Sequence, residues 1–279
     1  MKITSFHVRD ATNREVPVVV SIPHTGIYVP ETIRESFASA YIRSLPMTDW
    51  YLHHLYDFLP AMGVTTIYGT YSRFVADVNE APGRKTFPGV HGASDASAVS
   101  TRFVATETAW GDDIYRKPPT PEEIETRREL VHAPYHARLS ELLQSRITRF
   151  GGVVLIDAHS TPSRADLHHP ELTSDVYLGD AGGRANSGWL TNTFVEAFRH
   201  TGHSTVRNNP FRGGYIIDHY GAQSQVAALH IEHRWGLYLD EHRADSTPAQ
   251  GRFNAFKTVL SDVFTGLLAE IGKRRQVSK

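Results

Sequence analysis

Residues able to bind a metal or move a proton collect where runs of strand-forming residues end. Gly151 to Ile156 reads as the start of a buried central strand, and Asp157, His159 and Ser160 follow as the chain leaves it. His24 follows the β-rich run 16–22, His219 lies in the segment 214–221, and Glu232 ends another β-prone run beginning at Val226. In open α/β sheets such exits converge on one edge, where ligands bind. Hydrolytic zinc sites commonly use three protein ligands and leave one position for water. His24 and His159 can supply two nitrogens, and Asp49, beside Thr48 at the expected start of a helix, is a candidate third ligand. Arg73 and Arg212 add guanidinium forks suited to the two oxygens of a carboxylate substrate.

Other chemistries find less support. The chain has no cysteine, so disulfides, thiolate nucleophiles and Cys-ligated metals are excluded, whereas its 16 histidines are an ample supply of nitrogen ligands. There is no HExxH helix, GxSxG elbow, phosphate-cradling P-loop or dinucleotide fingerprint. His230 and His233, three apart on an extended strand, point to opposite faces and would not clamp one ion. His53, His54, His168 and His169 read as surface or supporting groups. Lys and Arg total 29 against 30 Asp and Glu, for a formal net charge of -1, which gives no footprint for nucleic acid or an anionic membrane. No apolar stretch approaches bilayer length, and residues 1–17 lack the apolar core of a secretory signal. A cytoplasmic enzyme is expected.

The elements that must position these groups alternate between strand and helix. Strands are expected at 16–22, 64–69, 153–156, within 175–180, within 214–218 and within 226–232. Helices are expected from Pro30, over 48–59 with Thr48 as cap, through 118–150 with a kink or break at Pro134, over 187–201 to a stop at Gly202, and over 248–272. Residues 72–100 show no clean period and several loop-marking glycines and prolines, which suits a segment covering a substrate. No repeat or linker divides the chain, so residues 1–279 are expected to form a single α/β domain.

The blocks VVVSIPHTG, TDWYLHHLY, YSRFVADVN, YHARLSELL, VLIDAHS, DVYLGD, PFRGGYIIDHYG and ALHIE, in this order between about residues 16 and 240, resemble the N-formylglutamate amidohydrolase family. The family is similar to the zinc carboxypeptidases. The resemblance implies a three-layer α/β/α sandwich around a mixed central sheet, and zinc-dependent cleavage of N-formyl-L-glutamate to formate and L-glutamate, as in histidine degradation. It implies His24, Asp49 and His159 as metal ligands, Glu232 as general base towards metal-activated water, and Arg73, Asn79, Arg212 and His219 as substrate-binding residues. Asp157 would orient a histidine ligand or the local loop.

Departures from the family pattern bear on the substrate. Met47 and His53 stand where it places aspartates, Glu80 replaces an arginine, Ala227 replaces a histidine, His230 replaces a glutamine, and segment 86–100 lacks the usual threonine- and glycine-rich run. These keep two alternatives open: a related metallo-amidase or carboxypeptidase acting on another N-acyl amino acid or short peptide, and a non-catalytic small-ligand binding protein. Other divalent metals also accept such ligands. The oligomeric state is left open.

Overall fold

The computed structural model describes residues 3–82, 103–167, 169, 171–241 and 247–277. The segment 83–102, which includes most of the expected substrate-covering stretch and the divergent run 86–100, lies outside the described residues, as does His168.

Seven strands form one mixed sheet. They are β1 (Phe6–Arg9), β2 (Val18–Ile22), β3 (Thr65–Gly69), β4 (Val153–Thr161), β5 (Val176–Gly179), β6 (Thr205–Arg207) and β7 (Val226–Arg234), in the order β1-β3-β2-β4-β7-β5-β6. β4 lies between β2 and β7 and runs parallel to both, whereas β1 pairs antiparallel with β3, and β5 with β7. β2 is buried along its whole length and β4 everywhere but its last residue, and the apolar runs 18–20 and 153–156 suit strands covered on both faces.

Among the described residues the helices are α1 (Glu31–Ser36), α2 (Ala40–Arg43), α3 (Leu52–Leu55), α4 (Pro121–Arg127), α5 (Ala133–Phe150), α6 (Trp189–His200), α7 (Tyr215–Tyr220) and α8 (Gln250–Val277). Alternation along each strand divides the core in two. Val153 and Leu155 face Tyr135, Leu139 and Leu143 of α5 and Ile216 and Ile217 of α7. Val154 and Ile156 face Phe194 and Phe198 of α6 and Leu260, Phe264 and Leu267 of α8. Each large side chain so buried contributes about 1.5–3 kcal/mol of transfer free energy. The result is the expected α/β/α sandwich. No helix among the described residues is long and apolar enough to cross a membrane.

Two local expectations change. Residues 48–59 do not form one helix: Tyr51 has a left-handed φ of 58°, only α3 is α-helical, and Leu59–Met62 forms a 3₁₀ turn. The Asp49 N–H bonds the His24 carbonyl at 3.1 Å, so this backbone anchors a loop crossing and does not open a helix. Residues 215–220 form α7, whereas a strand was expected there. Ile216, Ile217 and Tyr220 all turn inward, a helical spacing that two adjacent isoleucines disguise as a strand. His219 therefore stands on a helix and is exposed. The break expected at Pro134 takes the form of a π-helical stretch, Arg128–His132, that separates α4 from α5.

That π-helical stretch holds a loop of the site. His132 Nε2 donates to the Glu80 carbonyl at 3.1 Å, and His136 Nε2 donates to the Val78 carbonyl at 2.7 Å, bracketing Asn79. Burial lowers the His132 pKa to about 3, His136 to about 4 and, on the other sheet face, His233 to about 3. Each is neutral when folded and titrates near its ordinary value of about 6.5 when unfolded. The unfolded chain therefore binds more protons below that pH, and the stability these groups contribute is present above it and lost as pH falls towards their folded values. The urea midpoint should fall between about pH 7 and about pH 5, and by less in His132→Gln, which keeps a donor but cannot titrate. An equal fall in both proteins would contradict this account of His132.

Candidate active site

The parallel register brings one row of polar residues onto a single face of the sheet. Ser21 of β2 pairs with Asp157 of β4, which pairs with His230 of β7. One pleat further on, His159 pairs with Glu232. Paired residues on neighbouring strands share a face, as do residues two apart on one strand, so Asp157, His159, His230 and Glu232 form a compact block. All four are buried, with Glu232 at 7% exposure.

His24 joins this block from the turn after β2. That turn runs close beside the end of β3, where two glycines make room. A Cβ on Gly69 would lie 2.4 Å from the Pro23 carbonyl oxygen, and one on Gly26 would lie 2.4 Å from that of Tyr71. His24 Nε2 donates to Asp77 Oδ1 at 2.7 Å, and His159 Nε2 donates to Asp157 Oδ2 at 2.9 Å. A carboxylate only accepts, so both rings carry a proton on Nε2 and turn Nδ1 away from it. The two Nδ1 atoms face each other 3.1 Å apart. Asp49 Oδ2 lies 3.3 Å from His159 Nδ1 and 4.0 Å from His24 Nδ1, buried and with no hydrogen-bond partner in good geometry among the described residues.

This donor set fits a divalent cation. Tetrahedral zinc with bonds of about 2.0–2.1 Å to nitrogen and oxygen separates its ligand atoms by about 3.3 Å, and each histidine here already has the carboxylate partner that fixes its tautomer. Two ring nitrogens and a carboxylate at such distances repel one another unless a proton or a cation lies between them. Burial and Arg73 lower the His24 pKa, whereas for His159 burial is outweighed by Asp157 and Asp49, which hold it well above its ordinary value, so a cation would bind in competition with a proton on His159 Nδ1. Burial disfavours the charged forms of Asp77 and Asp157, yet His24 and Arg73 hold the first, and His159 the second, below the usual carboxylate range. The second group close enough to share an ion, Asp157, His159 and His230, uses the nitrogen and oxygen that His159 and Asp157 already spend on each other.

The remaining sequence candidates divide. Asn79 is central but already engaged: its Nδ2 donates to Asp157 Oδ2 at 3.1 Å and its Oδ1 accepts from the Ile216 N–H at 2.9 Å, tying α7 to β4. Arg73 grips Asp77 Oδ2 through Nε and Nη2, at 3.1 and 2.7 Å, and keeps 25% of its side chain exposed. The fork edge expected to receive a substrate carboxylate is thus occupied by Asp77. Arg212 is exposed with its Nη2 over Gly182, while its backbone packs against Gly179 so tightly that a Cβ there would lie 2.5 Å from the Arg212 carbonyl carbon. His219 stacks on Tyr215 at 5.0 Å between ring centroids. Neither Arg212 nor His219 has a hydrogen bond or ion pair joining it to His24, Asp49 or His159 among the described residues. Glu232 uses Oε2 on His230 Nε2, at 3.0 Å. His233, on the opposite face, meets Tyr56 Oη at 2.6 Å, as the alternation of β7 requires.

Asp77 went unassigned in the sequence although it joins His24 to Arg73. Its only local signal is its spacing, four residues after Arg73 and two before Asn79. A cavity of about 630 Å³ opens at the far edge of the sheet, beside Gly151, Gly152, Trp189 and Arg275, but no His, Asp or Glu lines it.

The N-formylglutamate amidohydrolase family model matches residues 16–239. N-formylglutamate deformylase of Pseudomonas putida is 29% identical over 282 residues, covering 99% of each chain. That of Pseudomonas aeruginosa is 30% identical over 263 residues, covering 91% of this chain and 93% of the other. The crystal structure of N-formylglutamate amidohydrolase from Ralstonia eutropha superposes with a TM-score of 0.80 at 23% identity, covering 97% of this chain and 100% of that one.

Replacing His24 or His159 by alanine, or Asp49 by asparagine, should lower zinc content after dialysis, measured by elemental analysis. Asp77→Asn keeps all three donors but loosens the hold on His24 and should weaken zinc affinity by about 10- to 100-fold. Full zinc retention in the three ligand variants would remove the assignment.

Proposed function

Because this chain belongs to the N-formylglutamate amidohydrolase family, we propose that it hydrolyses the formamide of N-formyl-L-glutamate to formate and L-glutamate. The observation that carries this reading is a carboxylate, Glu232, one strand over from a three-donor cradle of His24, Asp49 and His159. A zinc ion held there would supply Lewis-acid polarisation of the formyl carbonyl and make water a better nucleophile. Glu232 takes a proton from the attacking water at Oε1, its oxygen not committed to His230. Water oxygen bonds to the formyl carbon, the carbon–nitrogen bond breaks, and Glu232 returns the proton to the leaving amine nitrogen. Asp157 and Asp77 keep the Nε2 protons of His159 and His24, so both Nδ1 atoms stay available as donors.

Substrate binding follows from the charges left over. Arg73 is close enough to Asp49 and Glu232 to interact with both electrostatically, and its Nη1 can reach a substrate oxygen while Nε and Nη2 stay on Asp77. Arg212 and His219 are the exposed candidates for the carboxylates of glutamate, and Asn79 contributes by holding α7 against the site. A second reading keeps the chemistry and changes the amino acid. It is favoured by Glu80, a carboxylate three residues from Asp77 in a loop where the family resemblance calls for a cation.

Incubating zinc-loaded protein with N-formyl-L-glutamate, other N-formyl and N-acetyl amino acids and short peptides, with products identified by mass, decides between these readings. Formate release from N-formyl-L-glutamate at the highest kcat/KM is expected. No turnover of any member would contradict the reaction class, and preference for a non-acidic N-acyl amino acid would favour the second reading. Glu232→Gln should lower kcat by about 10²- to 10⁴-fold while zinc content and thermal midpoint stay near wild type. Loss of zinc in step with activity would make Glu232 a ligand.

A further inference from the structure

Glu232 is not free to choose its orientation. His230 lies two residues earlier on β7 and on the same face, with its Nε2 3.0 Å from Glu232 Oε2. The carboxylate can only accept, so His230 donates. The His230 ring is 5% exposed and is held between two others, with centroids 4.6 Å from His159 and 6.3 Å from Phe211. Its Nδ1 is buried without a hydrogen bond, and the nearby Asp157 Oδ2 is 3.7 Å away, beyond hydrogen-bonding distance. The one hydrogen bond that His230 makes through its ring among the described residues goes to Glu232.

We propose that His230 is a positioning residue: it holds Glu232 by Oε2, leaves Oε1 for proton transfer, and keeps the carboxylate off the neighbouring metal-ligand cradle. This rests on the function proposed above. The need for such a tether follows from the register. Glu232 pairs directly with His159, and neighbouring strands lie about 4.8 Å apart, within reach of a glutamate side chain. A carboxylate is an ordinary zinc ligand, so an untethered Glu232 can close the coordination shell and lose its role as a base. A buried carboxylate without a donor is also costly, which adds to the drive towards the cradle. The aromatic contacts fix the donor itself, and a fixed donor gives the accepting oxygen one position.

The test compares His230→Ala with His230→Gln, whose amide Nε2 can donate to the same oxygen. His230→Ala should lower kcat by about 10- to 100-fold, with zinc content, thermal midpoint and KM for N-formyl-L-glutamate near wild type, and His230→Gln should recover most of that loss. Wild-type kcat in the alanine variant would overturn the proposal, as would a folded, zinc-loaded glutamine variant no faster than alanine, or zinc loss proportional to activity loss. A second measurement needs no substrate and no alanine at 230. In the histidine side-chain proton–nitrogen spectrum, the His230 Nε2–H, assigned by its absence from His230→Gln, should be exchange-protected in the wild type and lose protection in Glu232→Ala. Unchanged protection in that variant would overturn the tether. Wild-type protein that releases no formate from any N-acyl substrate would instead overturn the proposed function, leaving the spectroscopic result to stand or fall by itself.

Discussion

Several ionisable side chains buried at the end of a sheet are tolerable only if each finds an opposite partner, and that constraint organises this molecule. Asp157 on the central strand β4 is fully buried and accepts from Ser21 of β2, His159 of its own strand and Asn79 of a distant loop. Ser21 is met in turn by Tyr135 Oη at 3.0 Å, which comes from α5 on the same face. Removing Asp157 would leave these donors facing one another in a dry interior, where an unmet polar group costs about 1–3 kcal/mol. The apolar residues of β4 place the strand between two helical layers; Asp157 fixes what may approach its end.

Around the candidate metal-ligand cradle, each inward-facing imidazole is backed by a carboxylate. The resulting chain, Arg73 to Asp77 to His24, runs from a partly exposed guanidinium to a buried nitrogen donor. It neutralises a buried carboxylate and fixes a histidine tautomer at once. Glu232 differs from Asp77 and Asp157 in this respect. Its partner, His230, stands beside it on β7. A proton acceptor needs one free oxygen, whereas a supporting carboxylate is most useful when both are spent.

Much of this was legible in the chain itself. The apolar runs at 18–22, 65–69, 153–156 and 226–231 are strands, the stripes within 133–150, 189–200 and 250–277 are helices, and their alternation implied an α/β fold, to which the family resemblance added the layered sandwich. These are local signals, because burial on one or two faces writes a period into neighbouring residues. Where a segment is short and its apolar residues adjacent, as at Ile216 and Ile217, strand and helix write the same pattern, and the position of His219 was misread with it.

The sequence by itself determined the inventory: nitrogen and carboxylate donors with no thiols, arranged at the ends of strands, a set suited to a cation and a positioned carboxylate. Only the tertiary structure decided which donors meet. His24 and His159 lie 135 residues apart and face each other because β2 and β4 are neighbours, and Asp49 joins them because its backbone is tied to the His24 carbonyl. Arg73 turned out to serve a carboxylate of its own chain, and His230 became the partner of Glu232. Periodicity records which face a residue takes. The strand order, the register and the loop crossings that turn faces into distances arise from contacts between segments far apart in the chain, and no local pattern encodes them.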